Sequence, residues 1–235
     1  MTIAIGGMIK TTLVDFPARV ACAIFLQGCN FRCGFCHNPA LVPPGAPADP
    51  VEPEAVIDLL LRRRGLVDGL AVSGGEPLMQ PGLGAFLRRV KSETGVAVKL
   101  DTNGAYPGRL ERMLTEGLVD LVAMDIKAPP DLYNRATGGK GDHRTVAESL
   151  AVLRRSGTPF ELRTTLVPGL AGAEQLSAIC RWVGDPATAY VLQPFRPDVT
   201  LDPEAALLAP FGSEEMERLA EQCRPYFGKV TVRRA

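Results

Sequence analysis

The sequence predicts a single α/β domain built on a mainly parallel β-sheet. Short apolar, β-branched runs alternate about six times with amphipathic helical patterns, and short connections join them. This alternation is typical of right-handed βαβ units. The 235 residues also suit one large domain, since α/β barrels of roughly 200–250 residues commonly fold as one. The periodicity leaves open whether the sheet is doubly wound and open or forms a full or partial barrel.

Near-continuous hydrophobic runs predict strands that are covered on both faces of the sheet. We assign strands to residues 20–26, 69–73, 96–101, 118–125, 160–167, 189–193 and 229–232. Between them, helical patterns with the apolar stripe needed for packing on a sheet occupy residues 53–64, 83–93, 109–116, 143–156, 173–183 and 213–222. The loops 43–50 and 194–210 interrupt this rhythm, and long loops often carry function.

Charge and hydropathy exclude several classes of partner. The 26 basic side chains equal the 26 acidic ones, so there is no basic footprint for nucleic acid or for an anionic membrane. No segment approaches about 18 consecutive apolar residues, and the start lacks a charged region followed by a long apolar stretch. We therefore expect a cytoplasmic protein whose partners include neither nucleic acid nor a membrane.

Three of the six cysteines lie close together, at Cys29, Cys33 and Cys36. The other three are scattered in hydrophobic contexts, which is unlike the disulfide framework of a small secreted domain, and we expect them to be reduced core thiols: Cys22, Cys180 and Cys223. Three thiolates on one loop without an obvious fourth ligand suit an iron–sulfur cluster with one open iron. A Cys3His zinc site that includes His37 is the alternative, although structural zinc usually draws on separated ligand pairs.

Polar residues follow several predicted strands at their carboxyl ends, which is the edge that carries the site in parallel α/β folds. The run 73–77 contains glycines that let the backbone approach a ligand, and Glu76 offers an acceptor for a cationic amino group. Asp101 and Asp125 end apolar strands, where a buried carboxylate needs a partner or a cation. Helix capping and turn formation are the alternatives for residues 101–104.

The Cys-x3-Cys-x2-Cys spacing of the cysteine run resembles the signature of the radical S-adenosylmethionine (SAM) superfamily. The segments 15–17, 25–30 and 36–39 narrow this resemblance to the activating enzymes of glycyl-radical enzymes, above all the anaerobic ribonucleoside-triphosphate reductase activating proteins. The resemblance implies a partial (β/α)6 TIM-like barrel of the radical SAM type as a single domain over residues 1–235. Its core would span about residues 18–195, followed by a C-terminal extension over about 196–235.

The same resemblance implies the site residues. Cys29, Cys33 and Cys36 would hold one [4Fe-4S] cluster, whose fourth iron binds SAM. The implied SAM contacts are Phe35, His37, Gly74, Gly75, Glu76, Asp101, Thr102, Asp125, Lys127 and Arg163. Asp101, Thr102 and Asp125, with the carbonyl of Ala123, would also bind a monovalent cation beside SAM. A solvated surface position is the alternative for Lys127 and Arg163.

Three departures from the family pattern bear on the site. Ala18 stands after the Asp-x-Pro element, where relatives often have glycine, and Arg196 stands near a position where some relatives have histidine. A contact between Arg196 and the adenosine is therefore open. No cysteine lies between Cys36 and Ser73, so we expect one cluster without a ferredoxin-like insert.

By this resemblance, the chain uses a reduced cluster and SAM to generate a glycyl radical on a partner enzyme, with anaerobic ribonucleoside-triphosphate reductase as the expected partner. A flavodoxin or ferredoxin would supply electrons. Two alternatives remain at this point. One is a radical SAM enzyme that acts on a small molecule, as 7-carboxy-7-deazaguanine synthase does. The other is a zinc-stapled interaction module without catalysis.

Overall fold

Strands and helices alternate along the chain in the computed structural model, which describes residues 3–233. The strands of this part are β1 (Ile5–Thr12), β2 (Ala21–Leu26), β3 (Gly69–Gly74), β4 (Ala97–Thr102), β5 (Leu121–Asp125), β6 (Phe160–Leu166), β7 (Asp185–Pro194) and β8 (Phe227–Val232). Its α-helices are α1 (Pro53–Arg62), α2 (Leu83–Thr94), α3 (Pro107–Thr115), α4 (Tyr133–Ala136), α5 (His143–Ser156), α6 (Ala173–Val183) and α7 (Ser213–Cys223).

All of these strands form one sheet in sequence order, with β1 and β8 at its two edges. β1 runs antiparallel to β2, and every later pair is parallel. Each strand from β2 to β7 contributes side chains or backbone to one cavity, so the sheet must curve around it. Each of these strands is also followed by at least one helix. The expected partial (β/α)6 barrel is therefore confirmed, and the open doubly wound sheet is wrong.

The helices form where their sequences supply both an apolar stripe and defined ends. In α5, Val146, Leu150 and Leu153 are buried against the sheet. The carboxylate of Asp142 accepts from the backbone N–H of Arg144 at 2.9 Å, which satisfies one free donor of the first turn. The helix ends at Gly157, whose φ of 73° is a left-handed conformation that glycine adopts without strain.

One strand is missing from the sequence-based prediction. β1 contains Gly6 and Gly7, which lower strand propensity. A Cβ atom on Gly6 would lie 2.6 Å from Cδ2 of Leu41 and 2.9 Å from Oε1 of Gln27, so these flexible side chains would have to shift. The other differences are shifts of element ends, of which the largest is β7, which begins at Asp185 rather than 189. The one-turn helix α4 was also not predicted.

The core lies between the sheet and the surrounding helices. Cys22, Cys180 and Cys223 are buried there, and none of the six cysteines forms a disulfide. No helix in residues 3–233 is long and apolar enough to cross a membrane.

An arginine after β8 connects the two edges of the sheet. Arg233 follows β8, and its guanidinium donates to the carbonyl of Val14 at 2.6 Å. It also lies 3.6 Å from the carboxylate of Asp15. Because Val14 and Asp15 belong to the turn after β1, these contacts bridge the open side of the barrel. We call this side, formed by residues 13–15 and 233, the seam.

Candidate active site

A cavity of about 250 Å³ opens at the carboxyl ends of the strands. It is lined by every site residue predicted from the sequence except Glu76: Cys29, Cys33, Phe35, Cys36, His37, Gly74, Gly75, Asp101, Thr102, Asp125, Lys127 and Arg163. Residues separated by more than 130 positions along the chain thus meet at one place. The parallel βα repeat explains this, because it brings the ends of successive strands to the same edge.

The cysteine loop, residues 28–37, is held in place by backbone hydrogen bonds to two other segments. The N–H of Gly28 donates to the carbonyl of Leu41 at 2.7 Å, and the N–H of Arg32 donates to Thr137 at 3.0 Å. Thr137 follows α4 directly, so this short helix supports the loop from one side. The positions of the thiols are therefore set by the fold rather than by the loop alone.

The surroundings of Cys29 and Cys33 favour the protonated form of these two thiols until a metal group binds. Burial raises the pKa of Cys29, and it raises that of Cys33 to about 12. Metal ligation displaces such protons, since thiolates are the ligands. In residues 3–233, no three His, Cys, Asp or Glu side chains are grouped closely enough to hold a single metal ion. An iron–sulfur cluster binds each cysteine to a different iron, so its ligands need not converge on one point.

Gly74 and Gly75 are required because backbone of β2 and of the cysteine loop, respectively, approaches them closely. A Cβ atom on Gly74 would lie 2.1 Å from the backbone nitrogen of Leu26, and its φ is 124°. A Cβ atom on Gly75 would lie 2.1 Å from the carbonyl oxygen of Gly28. No other residue fits at either position without moving the backbone. The two glycines therefore bring bare backbone to the cavity wall.

Glu76 lies two residues after the end of β3. Its carboxylate is fully buried and accepts from the hydroxyl of Thr102 at 2.8 Å and from the backbone N–H groups of Asn103 at 2.7 Å and Leu78 at 3.0 Å. Burial outweighs these hydrogen bonds and raises its pKa to about 7. The residues that line the cavity do not include Glu76, and its expected contact with an amino group stays a prediction. The bonds to Thr102 and Asn103 also hold the ends of β3 and β4 in position relative to each other.

Five charged side chains form a chain of ion pairs across the floor of the cavity. Lys99 contacts Asp101, which lies 3.0 Å from Nη1 of Arg163. Nε of Arg163 lies 2.8 Å from Asp125, whose second oxygen lies 2.8 Å from Lys127. Three of these five side chains are cationic and two are anionic, so the ion-pair chain carries one excess positive charge. It therefore favours an anionic group, such as a carboxylate, in the cavity.

The ion pairs keep these groups charged despite their burial. Burial alone would raise the pKa of Asp101 and Asp125, but Arg163 lowers both, with further lowering by Lys99 at Asp101 and by Lys127 at Asp125. Burial would lower the pKa of Lys127 and Arg163, yet the facing aspartates raise both. Each member thus stabilises the charged form of its neighbour.

The carboxylates of the expected monovalent-cation site are paired with basic side chains in this structure. Each of the four carboxylate oxygens of Asp101 and Asp125 already pairs with a lysine or arginine side chain. The hydroxyl of Thr102 donates to Glu76, and Ala123 lies within β5 between its paired neighbours in β4 and β6. Protein cations therefore contact all four of these oxygens, and the monovalent-cation site stays a prediction from the resemblance.

His37 and Arg196 meet at the mouth of the cavity. Nε2 of His37 accepts from the backbone N–H of Arg196 at 3.2 Å, and its ring stacks on Phe195. Burial lowers the pKa of His37, which keeps the imidazole neutral, as an acceptor must be. This nitrogen is thus engaged by the backbone. The side chain of Arg196 is exposed and lines an adjoining groove of about 650 Å³, not the main cavity.

Sequence reasoning missed Asn103. Its side-chain amide donates to Oδ1 of Asn30 at 2.9 Å and lies 3.9 Å from Sγ of Cys29. The signal that could have identified Asn103 is its place in the polar run 101–104 at the end of a strand. The prediction for that run rests on Asp101 and Thr102, with helix capping and turn formation as the alternatives. Arg233 and Asp15 also line the cavity. Their meeting depends on the curvature of the sheet, which leaves no local pattern in the sequence.

The site fits the cofactors that the resemblance implies. Three sulfur donors lie on one wall, while the bare backbone of Gly74 and Gly75 and the positively charged ion-pair chain form others. Sulfur donors suit an iron–sulfur cluster, and the excess positive charge suits the carboxylate of SAM.

Comparison with known proteins agrees with this geometry. Residues 23–178 match the family model described as the radical SAM superfamily. A protein of Methanocaldococcus jannaschii, whose name assigns it provisionally to the glycyl-radical enzyme activating enzymes, is 28% identical over 99% of this chain and 97% of its own length. The pyruvate formate-lyase-activating enzyme of Clostridium pasteurianum is 32% identical over 69% of this chain and 68% of its own length.

Among solved structures, that of SuiB from Streptococcus suis superposes with a TM-score of 0.66 at 12% sequence identity. The alignment covers 89% of this chain and 48% of the SuiB chain, so this protein spans about half the length of that structure. This likeness concerns the fold alone. The family match over more than half of the chain, together with the site geometry, shows that the chain belongs to the radical SAM superfamily of enzymes.

Proposed function

We propose that this enzyme is an activase that generates a glycyl radical on a partner enzyme. The observation that carries the proposal is the alignment over nearly the whole of both chains with a protein named as a glycyl-radical enzyme activating enzyme. The similarity to a pyruvate formate-lyase-activating enzyme supports the same class. The cavity, with its thiol wall and cationic floor, supplies the chemistry that this class needs.

The proposed cluster ligands are Cys29, Cys33 and Cys36. When bound, the [4Fe-4S] cluster and SAM supply the one-electron reduction and the abstraction of a hydrogen atom. The protein binds, orients and shields these groups. Lys127 and Arg163 are proposed to orient the carboxylate of SAM, because they are the cations of the ion-pair chain that line the cavity.

The other proposed SAM contacts lie at the mouth of the cavity, along its glycine wall and on its floor. They are Phe35, His37, Gly74, Gly75, Asp101, Thr102 and Asp125. Glu76 is proposed to meet the amino group of SAM, while the bonds from Thr102, Asn103 and Leu78 hold its carboxylate in place.

A glycine is a suitable target for this cavity. Its Cα radical is stabilised by the flanking amide and carbonyl groups, and the absence of a side chain lets the backbone enter a narrow site. The cavity is bounded on one side by the seam, where Asp15 and Arg233 contribute to its lining. An extended loop of a partner protein would have to reach the thiol wall past these residues or through the mouth beside His37.

We further propose anaerobic ribonucleoside-triphosphate reductase as the partner and a flavodoxin or ferredoxin as the electron donor. The segments 15–17, 25–30 and 36–39, which flank and include the cysteine run, support this choice. The core over about residues 18–195 and the extension over about 196–235 remain our proposed division of the single domain.

The first test measures SAM cleavage without any partner. Anaerobically reconstituted protein, given reductant and SAM, should form 5′-deoxyadenosine. Cys33→Ala should abolish this product together with part of the iron content, whereas Cys180→Ala, which changes a buried thiol in α6, should retain it. Wild-type-like cleavage by the Cys33 variant would refute the ligand assignment. Absence of product from the wild-type protein would refute the proposed function at its first step.

The second test identifies the partner. Electron paramagnetic resonance (EPR) of anaerobic ribonucleoside-triphosphate reductase from the same organism, incubated with the enzyme and SAM, should show a glycyl radical. Pyruvate formate-lyase serves as the comparison. A radical on pyruvate formate-lyase alone would keep the activase and replace the partner. SAM cleavage without a radical on any glycyl-radical enzyme would favour a small-molecule substrate instead.

A further inference from the structure

The side chain of Asn103 is fixed in the cavity wall beside Cys29. Both residues line the cavity, and only 6% of Asn103 is exposed. Oδ1 of Asn103 accepts from the backbone N–H of Ala105 at 3.0 Å, and Nδ2 donates to Oδ1 of Asn30 at 2.9 Å. An amide oxygen can only accept and an amide nitrogen can only donate. These two partners therefore determine which end of the side chain faces Cys29.

The amide nitrogen of Asn103 also faces the sulfur of Cys29. Nδ2 lies 3.9 Å from Sγ of Cys29, at the long end of the range for a hydrogen bond to sulfur. The backbone N–H of Phe31 donates to the same sulfur, with 3.4 Å between nitrogen and sulfur. A neutral thiol is a weak acceptor, whereas ionised acceptors give shorter hydrogen bonds of about twice the strength. Conversion of Cys29 to a thiolate therefore strengthens both contacts.

The backbone of Asn103 is held as firmly as its side chain. Its N–H donates to the buried carboxylate of Glu76 at 2.7 Å, and the hydroxyl of Thr102 donates to the same carboxylate at 2.8 Å. These bonds fix the end of β4, where Asn103 follows the last residue of the strand. The amide thus meets the sulfur from a rigid support, as the residues that surround metal ligands commonly do.

We propose that the amide of Asn103 donates a hydrogen bond to the thiolate of Cys29 when this thiolate ligates the cluster, and that the bond raises the reduction potential of the cluster. The inference deepens the proposed function, because it rests on Cys29 as a cluster ligand. The cluster gains one electron from the external reductant, so its reduced form is the more negative. A fixed N–H donor to a ligand sulfur therefore stabilises the reduced form more than the oxidised form. Asn103 acts through Cys29 and is a positioning residue.

The test removes the amide and measures the reduction potential. Asn103→Ala keeps the backbone N–H that bonds Glu76, and Asn103→Leu keeps a similar side-chain volume without the donor. The control is Asn134→Ala, which removes an exposed amide of α4 outside the cavity. All variants are reconstituted anaerobically beside the wild-type protein, and equal iron and sulfide contents establish equal loading.

Each cluster is titrated with dithionite at controlled potential in the absence of SAM, and the reduced form is followed by EPR. At one fixed potential, the ratio of reduced to oxidised cluster should fall about two- to tenfold in both Asn103 variants, as expected for the loss of one hydrogen bond. A tenfold fall corresponds to about 59 mV for one electron. Asn134→Ala should titrate like the wild-type protein.

A second measurement observes the bonded proton directly. Electron–nuclear double resonance of the reduced wild-type cluster should show exchangeable proton couplings, which disappear when the protein is reconstituted in deuterated water. The Asn103 variants should lack one of these couplings, and Asn134→Ala should retain it. An unchanged or raised potential in the Asn103 variants, an equal shift in the control, or a wild-type spectrum without exchangeable couplings would each overturn the inference.

A direct contact between the amide and SAM is the other role open to a residue that lines the cavity. In that case, the Asn103 variants would bind SAM more weakly while the potential measured without SAM stayed at the wild-type value. This result would also overturn the inference.

The two proposals fail separately. If the clusters titrate as described but the wild-type protein forms no 5′-deoxyadenosine from SAM, the proposed function fails while the role of Asn103 stands. If SAM is cleaved and the asparagine variants all titrate alike, the role of Asn103 fails while the proposed function stands.

Discussion

The guanidinium group of Arg163 lies between the carboxylates of Asp101 and Asp125 and pairs with both. Nε is 2.8 Å from Asp125 and Nη1 is 3.0 Å from Asp101. The three residues come from β6, β4 and β5, so one planar group ties three neighbouring strands together at the cavity floor. Arginine suits this place because its fork of donors can serve two carboxylates at once.

Arg163→Met should therefore be strongly destabilising. It leaves two buried carboxylates that face each other with only lysine partners, and breaking a buried ion pair costs about 3–5 kcal/mol. Urea unfolding followed by circular dichroism measures the loss. The matched control is Arg155→Met, which removes an exposed pair with Glu111 and should cost no more than about 1 kcal/mol. Equal losses in the two variants would contradict the bridging role.

Gly75→Ala should damage both stability and SAM cleavage. The new Cβ would lie 2.1 Å from the carbonyl oxygen of Gly28, and relieving such a clash typically costs about 1–3 kcal/mol. Displacement of the cysteine loop should slow 5′-deoxyadenosine formation by about 10- to 100-fold. Gly108→Ala in α3 is the control, because nothing lies within 4 Å of a Cβ atom there. It should leave cleavage unchanged and raise stability slightly, since alanine favours helix.

Glu76 should give the protein a distinctive dependence on pH. Its pKa is raised from 4.5 to about 7 in the folded state, so between these values the folded protein binds more protons than the unfolded chain. Stability must then fall as pH rises through this window, by up to about 1.4 kcal/mol per pH unit. Urea unfolding at pH 5, 6, 7 and 8 should show this slope in the wild-type protein and its loss in Glu76→Gln. His37 contributes equally to both proteins and cancels in the difference. If the free energy of unfolding had the same slope against pH in both proteins, the assignment of this pH dependence to Glu76 would be wrong.

Ala18→Gly should stabilise the protein. Ala18 has a φ of 59°, which is the left-handed conformation that disfavours a Cβ atom. Removal of this strain stabilises the folded protein, and the greater freedom of glycine in the unfolded chain offsets part of that gain. The free energy of unfolding should therefore rise by about 0.5–1 kcal/mol. The control is Ala46→Gly in the exposed loop that precedes α1. Ala46 does not have a positive φ, so this variant should not stabilise the protein. A gain in the second variant equal to that in the first would speak against strain at Ala18.

The barrel could be predicted because its repeats are local. Continuous apolar runs and helical stripes marked β2 to β7 and the helices between them, and α5 and α6 have the predicted bounds. β1 could not be found in this way. At Gly6 the space for a side chain is limited by Leu41, which lies about 35 positions later in the sequence.

The residue types of the site were predictable, but not their partners. Glu76 illustrates this, because its carboxylate bonds Thr102 and Asn103, and neither partner is evident from the sequence. Lys99 is a second example. A lysine in the middle of an apolar strand gives no sign that it will pair with Asp101, two residues later on the same face. Such choices depend on which donors the fold brings near each oxygen.

The contact between Arg233 and Val14 joins residues 219 positions apart. During synthesis, the turn after β1 is made 219 residues before Arg233, so the seam can close only after the cysteine loop has been synthesised. Until then, the side of the barrel next to the thiols lacks this contact.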